Sequence, residues 1–369
     1  MTLFSERPGA VVGTHGIDHF GDPMREQRDL RAGEALAPLG DLAVVEVAGE
    51  DRLSWLDSIT SQSLTGLTPG GSTELLILDP QGRVEHAAAV FDDGASTWLL
   101  ADAGDVEAMA AWLSRMVFRA RASVTVRPEL TAVGFFPGGA AEDAARGAAI
   151  APAGVPVVWR DPWPEVQPGG HQYARTAVHP ASDYHWQVAI LDDAGAAAVA
   201  SLPLAGTFAA EALRVAAWRP RWQSEVDERA LPHEVDWLRT AVHLNKGCYR
   251  GQETVAKVHN LGHPPRRLVA LDLDGSDDLL PEPGAIVHAG DTEIGHVTSV
   301  ARHYEDGPIA LALIRRRADE GPLTVRVGEG EVAATPREIV PSDAGATANV
   351  PRLTRLSRRP SAGGAGSLD

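Results

Sequence analysis

The stretch Lys246–Gly262, KGCYRGQETVAKVHNLG, holds the densest group of different side-chain chemistries in the sequence and includes its only cysteine, Cys248. Gly247 and Gly251 are close together, and such glycines permit positive φ angles and a close approach of the backbone to a ligand. Lys246 stands two residues before the thiol and would favour the thiolate if the loop brings the two side chains together. These residues predict a nucleophile, a redox-sensitive thiol or a thiol that contacts a metal.

The same stretch also permits a purely structural interpretation. In that case it is a turn with a half-buried cysteine, in which Glu253 pairs with Lys246 or Arg250. Residue types alone leave both interpretations open.

Two further features have a structural and a functional interpretation. His259 and His263 have i,i+4 spacing, but the intervening NLG argues against the helix that a histidine metal pair requires. Trp218 and Trp222 either stack on a flat ligand or pack in a core, which is the commoner fate of such side chains.

Composition excludes several classes of protein. The chain has 369 residues and a net charge of −17, which disfavours non-specific binding to nucleic acids or anionic membranes. A single cysteine allows no internal disulfide and no all-cysteine zinc or iron–sulfur site. The N-terminal residues lack the apolar core of a signal peptide, and no apolar run reaches the roughly 20 residues of a membrane span. We expect a cytoplasmic protein.

The order of strand and helix patterns predicts a mixed α+β chain. The first forty residues show little periodicity and predict an irregular lead-in. Strand patterns with turn residues between them start at Leu42, and helical periodicity is strongest in the segments that begin at Asp105 and Gly206. After His263, short strands at regular spacing predict a small antiparallel barrel or sandwich.

The segment KGCYRGQE, with the following VAKVHNLG, resembles the signature of the YgfZ-type folate-binding proteins, which are related to the aminomethyltransferase (T-protein) of glycine cleavage. Other parts of the chain are similar to that family as well. ILDPQGRV (77–84) resembles its glycine hairpin, and EALRVAAWRPRWQSEVDERALPHEV (211–235) resembles its Leu-Arg helix and acidic loop. The similarity spans roughly residues 19–335.

This resemblance implies an aminomethyltransferase-like ring of three domains, with a central folate channel and a small C-terminal antiparallel β-barrel. It implies binding of tetrahydrofolate or a derivative, and a role in assembly or repair of iron–sulfur enzymes, including radical-SAM tRNA-modifying enzymes. The partners are then folate and iron–sulfur proteins or their assembly machinery, with no nucleic acid and no membrane. The site residues carried over are Cys248 and Lys246 as reactive groups, and the folate-binding set Arg214, Tyr249, Gly251, Gln252 and Glu253.

The patterns along the chain and this resemblance together predict how the chain is divided. The expected parts are an N-terminal folate-binding region (1–130), a middle α+β region (131–204), the helix and signature segment that closes the channel (205–263) and the barrel (264–340). The last stretch (341–369) lacks periodicity and is rich in Ala, Gly, Ser and Arg, which predicts a disordered tail.

One departure bears on activity. The transferases carry a catalytic aspartate after the glycine hairpin, where this chain has His86 and Ala87, and their Gly-Tyr-Thr-Gly-Glu segment has no counterpart. Loss of such a carboxylate costs orders of magnitude in rate, so we expect no glycine cleavage activity. A folate-dependent one-carbon transferase or demethylase acting on a small amine stays an alternative, as does a folate-binding scaffold whose cysteine is incidental.

Overall fold

The N-terminal segment contains more regular structure than its sequence pattern predicts. The computed structural model describes residues 2–14, 16–276, 278–318 and 321–348. The segment forms, in order, α1 (Thr2–Ser5), β1 (Val11–Gly13), β2 (Gly16–His19), α2 (Pro23–Arg31) and β3 (Ala37–Pro38). The expectation of an irregular lead-in is therefore wrong for α2, which starts at a proline and is capped by the Asp22 side chain.

The first large layer is an antiparallel sheet with two helices on one face. Its strands and helices are β4 (Leu42–Ala48), α3 (Arg52–Ile59), β5 (Gly71–Leu78), β6 (Val84–Asp92), β7 (Ser96–Asp102), α4 (Val106–Met116) and β8 (Ser123–Val126). The sheet order is β5-β6-β7-β4-β8. The buried residues of α4 are Val106, Met109, Ala110 and Leu113, as its helical periodicity predicts.

The second sheet is smaller and draws on separate parts of the chain. Its elements are β9 (Thr131–Phe135), α5 (Ala140–Ala148), β10 (Val158–Arg160), β11 (Gln187–Leu191) and α6 (Asp193–Val199). The strand order β10-β11-β9-β3 shows that the short N-terminal strand β3 forms one edge. The N-terminal segment thus contributes a strand to this second sheet.

A helical segment connects the sheets to the C-terminal part. It contains α7 (Thr207–Ala216), α8 (Trp222–Glu225), two short 3-10 helices (Pro232–Val235 and Trp237–Arg239) and α9 (Gln252–Leu261). α7 ends before Pro220, which cannot continue a helix. α9 ends at Leu261, with Gly262 as its C-cap, so the helix includes His259 but not His263, and no helical i,i+4 histidine pair forms.

The C-terminal part is a closed six-stranded antiparallel barrel. Its strands are β12 (Arg266–Leu273), β13 (Ile286–Ala289), β14 (Thr292–His303), β15 (Gly307–Arg315), β16 (Leu323–Val327) and β17 (Gly330–Glu338), in the order β12-β15-β14-β13-β16-β17. Closure removes the exposed strand edges that an open sheet presents. The predicted α+β class and C-terminal barrel are confirmed.

The residues after the barrel continue across α9. The backbone N–H of Thr347 donates to the carbonyl of His259 (3.0 Å), and Ala344 is buried. The remaining residues of the predicted tail lie outside the described part of the chain. Within the described residues, no helix has the length and apolar character needed to cross a bilayer.

Candidate functional site

The signature segment, Lys246–Glu253, is a turn that leads into α9. Its thiol and its phenol lie in different environments. Cys248 is exposed, so its thiol is accessible from solvent. Tyr249 is buried, and its hydroxyl has no hydrogen-bond partner among the described residues. Burial raises the pKa of Tyr249 above the usual tyrosine range, so this phenol is neutral at physiological pH.

Lys246 points into the protein. Its Nζ donates to three backbone oxygens, those of Asp57, Thr60 (3.0 Å) and Gln62 (2.7 Å), and it lies 3.4 Å from the Asp57 carboxylate. An ammonium group has three donors, and these contacts use all of them. The lysine satisfies the carbonyls at the C-terminal end of α3, as cations commonly do. The predicted role of Lys246 as the partner of a thiolate therefore has no support in its contacts.

The second signature glycine permits a close contact between two segments. Gly251 has φ +83°, and a Cβ there would lie 2.6 Å from the Asp79 carbonyl oxygen and 3.0 Å from the Gly82 Cα. The glycine therefore lets the signature turn pack on the hairpin turn between β5 and β6. Gln252 supports the same turn, because its Nε2 donates to the Lys246 carbonyl at 3.2 Å.

The charged signature residues do not pair as the structural interpretation predicts. Arg250 binds Glu85 at 2.6 Å, and its guanidinium lies 5.8 Å from the centroid of the Trp112 ring. Lys246 pairs with Asp57, and Glu253 is exposed at the start of α9. The cysteine is also exposed rather than half-buried, so both details of that interpretation are wrong.

A cavity of about 610 Å³ lies between the two sheets, α7 and the barrel. Aromatic rings form much of its wall, and small side chains of β6 form another part. The aromatic lining residues are Trp159, Tyr184, Trp186, Phe208, Trp222 and Trp237. Pockets of about 300–1,000 Å³ with mainly apolar walls are typical sites for small ligands.

Three arginines line this cavity, and each binds two carboxylates. Arg214 binds Glu225 (3.1 Å) and Glu211, Arg219 binds Glu74 (2.7 Å) and Asp161 (3.0 Å), and Arg221 binds Asp41 (2.7 Å) and Asp102 (2.6 Å). Burial raises the pKa of Asp102, and it raises that of Asp161 to about 6. These acidic pairs leave the cavity without an excess of positive charge.

His86 and Ala87, which stand in β6 where the transferases have aspartates, lie in different environments. Ala87, Ala88 and Ala89 line the cavity. His86 instead bonds through Nδ1 to both oxygens of Asp105, at 2.8 and 2.9 Å, and Asp105 immediately precedes α4. No carboxylate is therefore presented to the cavity from this part of β6.

The predicted site residues fall into two groups. Arg214 lines the cavity, where it also donates to Ser299 of the barrel at 2.5 Å. Among the described lining residues there is no member of the signature segment, so Lys246, Cys248, Tyr249, Gly251, Gln252 and Glu253 stand apart from the cavity.

Sequence reasoning missed most of the cavity wall. The one available signal was AWRPRW (217–222): Trp222 lines the cavity, whereas Trp218 is a core residue. No group of three or more His, Cys, Asp or Glu side chains in the described ranges is arranged to hold a metal ion.

Comparison with known proteins agrees with this architecture. Residues 266–341 match the glycine cleavage T-protein C-terminal barrel domain. The aminomethyltransferase T of the glycine cleavage system from Bartonella henselae has the same fold, with a TM-score of 0.71 over 91% of this chain and 94% of that one, at 16% identity.

Two curated relatives match a part of the sequence. The mitochondrial iron–sulfur cluster assembly factor IBA57 of Mus musculus is 36% identical over 110 residues, 28% of this chain and 29% of that protein. Together with the fold, these matches support a YgfZ-type protein related to the aminomethyltransferases. The chloroplastic protein At1g60990 of Arabidopsis thaliana is 32% identical over 125 residues, 34% of this chain and 28% of that relative. The chain thus matches less than a third of the length of each of these two relatives.

Proposed function

We propose that the protein binds tetrahydrofolate or a derivative in the central cavity and supports the assembly or repair of iron–sulfur proteins. The observation that carries the folate part is the cavity itself, with its broad aromatic walls inside an aminomethyltransferase-like fold. A pteridine is flat and aromatic, so it can stack on such walls. The wall of Trp and Tyr side chains therefore fits this cofactor.

In this proposal Arg214 does not form an ion pair with the folate. Its guanidinium binds Glu211, Glu225 and Ser299. Burial alone would lower the pKa of Arg214, but the two acids outweigh it and raise that pKa above the usual arginine range, so the group stays charged. Arg214 therefore stabilises the cavity wall and joins α7 to the barrel. In this proposal the ligand binds against that wall, and Arg214 does not need to exchange partners.

The iron–sulfur part rests on the relationship to the YgfZ-type proteins and on the similarity to the assembly factor IBA57. The proposed clients are enzymes with four-iron clusters, including radical-SAM enzymes that modify tRNA. Cys248 is exposed and therefore open to a partner protein. One thiolate supplies one ligand, so any cluster that it contacts must take its other ligands from the client or from the assembly machinery. A cytoplasmic location stays a prediction.

The folate part is tested by equilibrium dialysis of the purified protein against tetrahydrofolate. We expect saturable retention of one ligand per chain, with quenching of tryptophan fluorescence because several indoles line the cavity. Absence of retention at millimolar ligand contradicts the folate proposal. Turnover of a small amine in the presence of folate instead supports the one-carbon transferase alternative.

The iron–sulfur part is tested in cells that lack this protein. We expect lower activity of a four-iron enzyme such as aconitase, restored by the wild-type gene and not by Cys248→Ser. Asn245→Ser is the matched control, because Asn245 is also exposed and lies in the turn just before the signature. Unchanged aconitase activity in the deletion strain removes the accessory role. Full rescue by Cys248→Ser contradicts the proposed role of the thiol and leaves the accessory role intact.

A further inference from the structure

Asp41 is a buried carboxylate in the cavity wall with one unused acceptor. It stands between β3 and β4, and more than nine-tenths of its surface is buried. Its Oδ2 lies 2.7 Å from Arg221, whereas its Oδ1 has no hydrogen-bond partner among the described residues. A buried acceptor without a donor is costly. Because Asp41 lines the cavity, a bound ligand is the natural source of that donor.

The charges around Asp41 favour a donor over an acceptor in the ligand. Arg221 is shared between Asp41 and Asp102, so two carboxylates face one guanidinium. The other two lining arginines, Arg214 and Arg219, each bind two acids as well. An anionic group placed beside Asp41 would meet carboxylates without an unpaired arginine to offset them, and in a low-dielectric site such repulsion is strong.

We infer that Asp41 is the specificity-determining residue of the cavity, and that its Oδ1 accepts a hydrogen bond from the exocyclic amino group of a flat heterocycle. This inference rests on the proposed function for its ligand class, a 2-amino-4-oxopteridine. The amino-substituted edge of the ring faces Asp41. The anionic end of a longer ligand is directed away from the Asp41–Asp102 pair.

The test uses two ring probes that carry no glutamate: 6-methylpterin, and 6-methyllumazine, in which an oxygen replaces the 2-amino group. Both are titrated into the full-length wild-type protein and followed by fluorescence. We expect wild type to bind the pterin about ten- to a hundredfold more tightly, the range typical for a hydrogen bond to a charged partner. Asp41→Asn should weaken pterin binding by a similar factor and reduce the preference for it.

The control is Asp193→Asn. Asp193 is exposed at the start of α6 and is not among the residues that line the cavity. We expect this variant to keep the pterin preference of the wild type. Thermal melting of both variants checks their folding, and the two-probe comparison on wild type does not depend on any variant.

The outcomes separate this inference from the folate proposal. Equal affinity of wild type for the two probes, or no binding of either, overturns the role of Asp41. Unchanged pterin preference in a folded Asp41→Asn protein overturns it as well, and retention of tetrahydrofolate would still stand in that case. If wild type prefers the pterin but does not retain tetrahydrofolate, the inference is supported and the folate proposal fails.

Discussion

Lys246 joins two segments that lie about 185 residues apart in the sequence. Its side chain is 3% exposed, and burial lowers the pKa of its ammonium, partly offset by Asp57. Lys246→Ala removes three charged hydrogen bonds and leaves their carbonyl acceptors without a donor. We expect a loss of about 2–4 kcal/mol in the free energy of unfolding, measured by urea denaturation.

The control for Lys246 is Lys257, the only other lysine of the chain. Lys257 is exposed on α9, and Lys257→Ala should change stability by no more than about 0.5 kcal/mol. Equal stability of the two variants would show that Lys246 is not a structural residue, and its predicted reactive role would regain support.

The signature glycines offer a second matched pair. Gly251→Ala forces a side chain into the left-handed region and against the carbonyl of Asp79, so we expect a loss of about 1–3 kcal/mol or more. At Gly247 an added Cβ meets nothing within 4 Å. Gly247→Ala should therefore leave the midpoint of urea denaturation almost unchanged. A similar loss in both variants would contradict this account of Gly251.

For single residues, the sequence predicted the backbone conformation better than it predicted which other residues each side chain contacts. Closely spaced glycines indicated positive φ angles and a close backbone approach, and Gly251 has both, but it approaches the β5–β6 turn. The contacts of Lys246 depend on carbonyls in a distant helix end, and nothing in the local sequence identifies those carbonyls. Proximity in sequence to Cys248 suggested a partner that the fold does not supply.

Among the elements, α2 shows why hydrophobic periodicity missed a helix. Its buried residues are Glu26, Gln27 and Leu30, two of which are polar. Glu26 accepts from the backbone N–H of Gly206, and Gln27 donates to the carbonyl of Arg302. Polar side chains can be buried when distant backbone groups satisfy them. Because those groups belong to the α7 and barrel regions, the pattern within α2 contained no apolar stripe to detect.

Two buried residues in the 3-10 helical segment before α9, Asp236 and His233, should make stability depend on pH in opposite directions. Burial raises the pKa of Asp236 from 3.8 to about 7. The folded state therefore binds the proton of this carboxyl more tightly than the unfolded state does. The resulting contribution to the free energy of unfolding is complete below about pH 4 and is lost as the pH rises through 7. Asp236→Asn removes this dependence, so from pH 5 to pH 7 the variant should gain about 2 kcal/mol relative to wild type. Urea denaturation at the two pH values measures the change.

His233 provides the opposite control. Burial lowers its pKa from 6.5 to about 3, and its Nε2 donates to the Val255 carbonyl at 3.0 Å. This contribution is complete above about pH 6.5 and is lost as the pH falls. Relative to wild type, His233→Gln should therefore gain about 2 kcal/mol from pH 7 to pH 5. If both variants shift in the same direction, the assignment of these pKa changes to the two residues is wrong.

For the whole molecule, strand alternation and turn spacing predicted the barrel because each barrel strand pairs within one continuous stretch of about 75 residues. The cavity could not be predicted in this way. Its wall combines Asp41, Ala87, Trp159, Arg214 and Ser299 from five separate regions, and long-range packing alone brings them together. The only local hint was the pair of tryptophans around Pro220, one of which lies in the wall.

Arg214 connects these regions, because it lies on α7 and binds Glu225 and the barrel residue Ser299. Glu225 has a fully buried side chain, so Arg214→Met leaves a buried charge without its partner. We expect a loss of about 3–5 kcal/mol in urea denaturation, whereas Arg337→Ala, in an exposed barrel pair with Asp272, should cost at most about 1 kcal/mol. Adding Glu225→Gln to Arg214→Met should recover much of the loss, since the buried charge is then absent. Failure of the double variant to recover stability would show that hydrogen bonding by Arg214, rather than charge pairing, holds α7 against the barrel.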